Sequence, residues 1–302
     1  MKYVKKCENI IIKTYNLMGD FMKKTFETIG LFSLICFSFF YTNEISTVIK
    51  ENDDLLKQIN EVKEQYETKP IDAKVIDNDI IPGMSGRSID VDESYNKMKK
   101  LDSFNDKLLI YKDTKPSVSV NKVYDKYIIS GNESKKEVTL NFLLEDNENI
   151  NKVLEILNKY NIKANFFVTI NWFENNNEDI TELIKKGHII GNVLKENNDF
   201  KSDINWMNSI ISKMNKQDGT YCYNNDKNIV FLNVCKLNNS YTITPTIEAF
   251  DKPFIQVKQN IKNGSIISLK VNDKTITELP LIIEYINSKG FNIETISKII
   301  EE

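Results

Sequence analysis

From Lys136 onward, short apolar runs suited to strands alternate with stretches whose apolar residues recur every three or four positions, as helices require. Val138-Thr139-Leu140-Asn141-Phe142 reads as a strand. Asn149 to Tyr160 reads as a helix, with Ile150, Val153, Leu154, Ile156 and Leu157 on its apolar side. Ala164 to Val168 is a strand, and Asp179 to Lys186 is a helix stopped by Gly187. Further helices are expected at Asp203 to Lys216, Ile229 to Leu237 and Leu279 to Lys289, with strands at Tyr241 to Ile243, Ser265 to Leu269 and Phe291 to Thr295. Repeated βα units of this length give an α/β fold with a parallel sheet, open or closed into a barrel.

The N-terminal part has a different organisation. Thr28 to Tyr41 carries no charge, and six lysines (Lys2, Lys5, Lys6, Lys13, Lys23 and Lys24) precede it. The run is slightly short for a membrane span of about 20 residues, and Phe26 and Thr42 extend it. Lysines on the N-terminal side place that end in the cytoplasm and the remainder outside. Phe39-Phe40-Tyr41 is too bulky for signal cleavage, and Ile35 before Cys36 does not suit a lipoprotein signal. A buried helix is the alternative to an uncleaved anchor. Glu44 to Thr68 then reads as a helix with Ile45, Val48, Ile49, Leu55, Leu56, Ile59 and Val62 on one face: either a short coiled-coil stalk that dimerises, or an amphipathic helix lying on the domain or membrane. The expected order is a basic tail (1–25), a transmembrane anchor (26–42), a helical stalk (43–69), a lead-in segment (70–135) and the α/β domain (136–302). Within the lead-in, Ile80 to Arg87 is expected as a glycine-containing turn, Asp92 to Lys100 as a helix and Tyr127 to Asn132 as a strand.

Composition narrows the chemistry. With 40 basic against 43 acidic residues, net charge −3 and Arg87 the sole arginine, nucleic-acid binding is not expected. Among the four cysteines no CxxC pair occurs; Cys222 and Cys235 are either a disulfide of an exported domain or two buried thiols. His188 is the only histidine, so a site built on a histidine pair is impossible. Hydrolytic zinc sites need three protein ligands and an open position for water.

The order of four separated pieces resembles a NodB-homology polysaccharide deacetylase over about Lys136 to Ile300. These are Val138 to Phe142, Tyr160 to Val168, Gly187-His188-Ile189-Ile190-Gly191-Asn192, and Asn263 to Leu269 with Leu279 to Phe291. The resemblance implies a (β/α) barrel that removes acetyl groups from glycans with water bound to a divalent metal such as zinc. It also implies where the working residues belong. The two aspartates of the first motif, one a base and one a metal ligand, fall on Leu143 and Leu144. The metal histidines of the second fall on Val193 and Asn197. The third-motif loop falls near Thr220 to Asn224, and the histidine after the closing strand falls on Lys270. His188 matches a position that is not a ligand. On this reading the scaffold persists, the metal and catalytic groups are gone, and no cofactor is expected. Glu145 and Asp146, just past the expected aspartates, are the acids nearest the site.

Trp172, Tyr221 and Tyr223 are candidates for stacking on sugar rings, with ordinary packing as the alternative. Lys270, at a strand end, is a candidate nucleophile or a solvated rim lysine. The chain is thus expected to be a membrane-anchored, outward-facing pseudoenzyme that binds cell-wall glycan or an envelope protein. An active carbohydrate deacetylase with a relocated site and a structural, stalk-dimerised envelope protein are the alternatives.

Overall fold

A computed structural model describes residues 25, 28–40, 53–101, 103–145, 150–193, 200–214 and 219–302. The chain divides into two compact units, Met1–Glu67 with Ile89–Lys112, and Thr68–Ser88 with Asp113–Glu302. Within the expected lead-in segment, Ile89–Lys112 belongs to the first unit and the flanks to the second.

In the first unit, residues 28–40 form a helix, α1, with Phe32, Leu34, Phe37 and Phe40 among its exposed side chains. No described helix is long and apolar enough to cross a membrane, and the rest of the expected anchor (26, 27, 41 and 42) lies outside the described residues. Residues 44–52 of the expected stalk also lie outside them. Its described part is broken into α2 (Asp54–Glu61) and α3 (Lys63–Tyr66). Leu55 and Ile59 of α2 are buried with Ile89, Leu109 and the side chains Tyr95 and Met98 of α4 (Val91–Lys99). Of the apolar face read as a dimer seam, the described residues Leu55 and Ile59 pack within the same chain, and Ile45, Val48 and Ile49 lie outside the described residues. Asp53 caps α2 through Leu55 N and accepts from Lys99 Nζ at 2.7 Å and Tyr95 Oη at 2.8 Å. These donors, Lys99 foremost, hold its carboxyl down at about 2.

The second unit is built on one sheet. Its strands are β1 (Lys74–Ile76), β2 (Asp79–Ile81), β5 (Tyr127–Ile128), β6 (Glu137–Leu144), β7 (Asn165–Val168), β8 (Ile189–Val193), β9 (Thr220–Tyr223), β10 (Ser240–Ile243), β11 (Ile247–Glu248), β12 (Ile266–Lys270) and β13 (Asn292–Ile293). β3 (Gly86–Ile89) forms a separate two-stranded sheet with β4 (Tyr111–Thr114) and a bridge from Arg87 to Thr68, so the expected turn at Ile80 to Arg87 is in fact two strand ends joined by a short link. The main order is β1-β2-β5-β10-β9-β8-β7-β6-β12-β11, with β13 on β6. All neighbours are parallel except β1 and β2. The sheet is an open arc, a half-barrel, since its end strands β1 and β11 are not partners among the described residues. Of the open and closed forms expected for the (β/α) sheet, the described strands form the open one.

Helices α5 (Asn151–Lys159), α6 (Ile170–Asn175), α7 (Asn177–Lys185), α8 (Phe200–Met214), α9 (Ile229–Leu237), α10 (Pro253–Asn260) and α11 (Asp273–Ser288) connect the strands, and α12 (Ile296–Ile299) comes after β13. Alternation sorts the side chains. Leu140, Phe142 and Leu144 of β6, Phe166 and Val168 of β7, and Ile267 and Leu269 of β12 join the helix-side core with Leu154, Leu157, Ile282 and Ile286. Leu143, Phe167, Tyr221, Tyr223, Ile243 and Ile266 face the concave side, where Val120, Ile296 and Ile299 fill the hollow. Each such fully buried aliphatic side chain contributes about 2 kcal/mol from desolvation. Gly191 is required on this concave face: a Cβ there would lie 2.5 Å from the Phe167 ring and 2.8 Å from Tyr221 O.

A polar knot sits among these residues. Asn165 Nδ2 lies 2.7 Å from Thr139 Oγ1, 2.7 Å from Asn141 Oδ1 and 3.1 Å from Leu140 O, while its Oδ1 accepts from Ile296 N at 2.8 Å. One buried amide thus ties β6, β7 and α12 together, so its removal strands several groups at once.

Candidate functional site

Parallel α/β sheets present their chemistry at the C-terminal ends of the strands. Here those ends enclose a cavity of about 200 Å³. The register builds it: Leu143 pairs with Lys270 on one side and Phe167 on the other, and Val193 pairs with Tyr223. Leu143, Val193, Tyr223 and Lys270 all line the cavity, joined by Phe231, Phe250, Glu145 and Asp226. Three of the positions at which the resemblance placed lost catalytic or ligand residues (Leu143, Val193 and Lys270) are therefore gathered at one place.

Local structure fixes each wall. Thr169 closes the β6–β7 end, donating from its N to Leu144 O at 3.0 Å and from its hydroxyl to Glu145 O at 2.7 Å. This aims the Glu145 backbone at the rim. Past β9, Asn224 Nδ2 donates to Asn228 O at 3.0 Å, and Asn228 N donates to Asn224 Oδ1 at 3.1 Å. That reciprocal pair, with Asn228 capping α9, holds the turn that carries exposed Asp226. Ala249 N donates to Ser268 O at 2.8 Å, which sets Phe250 beside β12, and Lys270 Nζ lies 5.2 Å from the Phe250 ring centre.

The strand layer beneath the cavity is polar and underused. Tyr223 is buried, with its hydroxyl near that of the buried Ser268 but outside good hydrogen-bond geometry, and Asn141 Nδ2 has no partner. Asn141 and Ser268 are direct partners in the β6–β12 register. Burial pushes the Tyr223 phenol well above its usual range; the Ser268 hydroxyl pulls the other way, and Glu248 and Glu145 add to the rise. Buried polar atoms left without partners mark a place that a ligand or water can satisfy.

The other expected site residues lie elsewhere. Leu144 points away from the cavity into the helix-side core, fully buried. Asn197 and Asp146 lie outside the described residues. Trp172 is fully buried in the first turn of α6, where Thr169 Oγ1 accepts from its backbone N at 3.3 Å, and it offers no ring face to a sugar. Tyr221 is also buried; it lies one layer deeper on β9, its ring 5.9 Å from that of Tyr241, and lines a separate cavity of about 300 Å³ with Val120, Ile300 and Glu302. Of the three aromatic candidates, only Tyr223 belongs to the strand-end cavity. Thr220 to Tyr223, expected as a motif loop, is strand β9. His188 is buried at the opposite end of β8: Nδ1 accepts from Ala164 N at 3.1 Å, the ring meets Phe166 edge-on at 5.2 Å, and Nε2 has no hydrogen-bond partner. Cys222, on the helix side of β9, is joined to Cys235 of α9 by a disulfide, with Cα atoms 6.3 Å apart. Sequence reading missed Asp226, Phe231 and Phe250; an acid a few residues past an aromatic strand end is the one signal that was available.

The chain belongs to the polysaccharide deacetylase family, as a degenerate member. The family model for polysaccharide deacetylases matches residues 130–224. The uncharacterized protein YlxY of Bacillus subtilis (strain 168) is 30% identical over 284 residues, spanning 85% of this chain and 86% of that protein. Wild-type BA3943 of Bacillus anthracis, described as a CE4 family pseudoenzyme, shares the fold with TM-score 0.62 at 24% identity, covering 83% of this chain and 96% of that one. A BA3943 mutant, described as a pseudoenzyme with restored enzymatic activity, matches with the same TM-score over 99% of its chain.

Deacetylases of this family generally depend on a metal. The side chains here do not fit one: Leu143 and Val193 have no donor atom, and the Lys270 ammonium repels a cation. Among the described residues no group of three histidine, cysteine or acidic side chains could hold a metal ion.

Proposed function

We propose that this protein is a catalytically silent deacetylase-fold module whose strand-end cavity binds cell-envelope glycan. The observation that carries this reading is the cavity itself. Its lost catalytic positions are apolar or cationic, yet it keeps an opening, the aromatic walls Phe231, Phe250 and Tyr223, and the Tyr223 hydroxyl without a hydrogen-bond partner. Apolar faces with a few convergent polar groups suit a pyranose ring. The uncharged run 28–41 after a lysine-rich tail supports membrane attachment with the second unit outside, and the Cys222–Cys235 pair suits an oxidising exterior.

The test uses the full chain, purified in detergent without a histidine tag. Metal content and zinc affinity are measured first, then acetate release from N-acetylated oligosaccharides, then retention on peptidoglycan and chitin-type glycans. The reading expects no stoichiometric metal, no acetate and saturable retention that Tyr223→Ala or Leu143→Trp abolishes. One tightly bound metal with acetate release would replace it by an active deacetylase with a relocated site. Absence of glycan retention would leave a protein partner or a structural role.

A further inference from the structure

The cavity's charge is specific enough to name a chemical class of ligand. Two carboxylates stand on its wall, Glu145 at the end of β6 and Asp226 on the Asn224–Asn228 turn, against Lys270, the one cation among its described lining residues. Lys270 is drawn toward the Phe250 ring. Asp226 accepts only from Asn228 N, at 3.3 Å, among its hydrogen bonds, so its charge is not cancelled by a cation of its own. Glu248 and Glu145 both lie close enough to act on the buried Tyr223 hydroxyl, behind burial and Ser268. An N-acetylated sugar brings a neutral amide with a single N–H donor and no charge to set against these carboxylates. A sugar with a free amine brings an ammonium group, with donors for both carboxylates, and ring hydroxyls for Tyr223.

Resting on the glycan-binding reading above, we propose that the cavity selects a free-amine hexosamine over its N-acetylated counterpart, with Glu145 and Asp226 receiving the ammonium and the unpartnered Tyr223 hydroxyl receiving a sugar hydroxyl. The module then reads where acetyl groups have been removed rather than removing them. In a reaction sequence, its ligand is the product of an amide-hydrolysing reaction on an N-acetylated glycan.

The experiment titrates the full chain, in detergent and at slightly acidic pH, with three probes followed by calorimetry and ligand-observed NMR: the glucosamine disaccharide, its di-N-acetyl counterpart, and a glucose disaccharide. The expected result is about tenfold tighter binding of the glucosamine form, the effect of one or two partly exposed charge pairs. Glu145→Gln with Asp226→Asn removes that preference. Lys270→Gln tightens the glucosamine form, a change that simple misfolding cannot mimic, and Glu155→Gln on α5 changes nothing. Equal binding of both amino sugars, or preference for the acetylated form, overturns the amine selection while the glycan reading stands. Binding of none of the three removes the glycan reading, and the selection with it.

Discussion

The only histidine offers a sharp test of how the second unit is held together. His188 is fully buried, with Nδ1 taken by Ala164 N and Nε2 facing no acceptor, so a second ring proton has nowhere to go. Burial, with smaller contributions from Lys163 and Lys186, brings its pKa from 6.5 down to about 4. Above pH 6.5 the ring is neutral whether the chain is folded or not, and it contributes no pH dependence. Between 6.5 and 4 the unfolded chain takes up a proton that the folded chain refuses, so stability falls as pH falls, and the loss is complete below 4. The separation between 6.5 and 4, at about 1.4 kcal/mol per pH unit, makes that loss about 3 kcal/mol. Urea unfolding of the full chain, followed by tryptophan fluorescence, isolates the effect because both tryptophans, Trp172 and Trp206, lie in the same unit as His188. Carboxylates shape the same pH range, so the measured quantity is the difference between wild type and His188→Gln. That difference shrinks, or reverses in favour of the variant, by about 3 kcal/mol on going down from pH 6.5 to 4. Parallel curves, or a lone imidazole NMR titration centred near 6.5, would refute the reasoning.

Other consequences are equally direct. Cys222→Ala with Cys235→Ala opens a loop of 13 residues and lowers stability by about 3 kcal/mol in denaturant unfolding; reductant brings wild type to the same level. Asn165→Ala unties Thr139, Asn141 and Ile296 N together and costs about 3 kcal/mol; a loss below about 1 kcal/mol would show that the knot is replaceable. Gly191→Ala drives a methyl into Phe167 and the Tyr221 carbonyl and costs about 2 kcal/mol, partly recovered by Phe167→Leu in a double-mutant cycle.

The α/β architecture was legible because burial writes two periods into the chain. Ile229 to Leu237 is helical over the residues expected, and the helices around Asn151 and Asn177 end within about two residues of their expected limits, the usual uncertainty at fraying ends. Helix α10 was missed: its alternation of apolar and polar residues is weak, and Pro253 in its first turn was the readable signal. Strand β9 was hidden by its place in a motif, although Tyr221 and Tyr223 on one face with Cys222 on the other is a strand's period of two. Trp172 misled because a residue just past a strand is not bound to the rim; the turn begun by Thr169 rolls it inward. The site itself was half legible. Leu143, Val193 and Lys270 could be placed one by one, but their convergence depends on strand register, which spacing in sequence does not encode. Asp226 depends on a turn set by two asparagines, a tertiary detail with no period.

Leu143 and Leu144 are neighbours in the chain that live in different solvents. An acid restored at 143 would be buried on the concave side, but it would line the strand-end cavity beside its strand partner Lys270 and could find a counter-charge there. An acid at 144 would be driven between the sheet and its helices, among Phe142, Phe166 and Val168, and would forfeit about 2 kcal/mol of leucine burial before any charge is counted. The way back to chemistry is therefore one-sided: the first substitution changes the wall of a cavity, and the second must be absorbed by the architecture before it can act on anything.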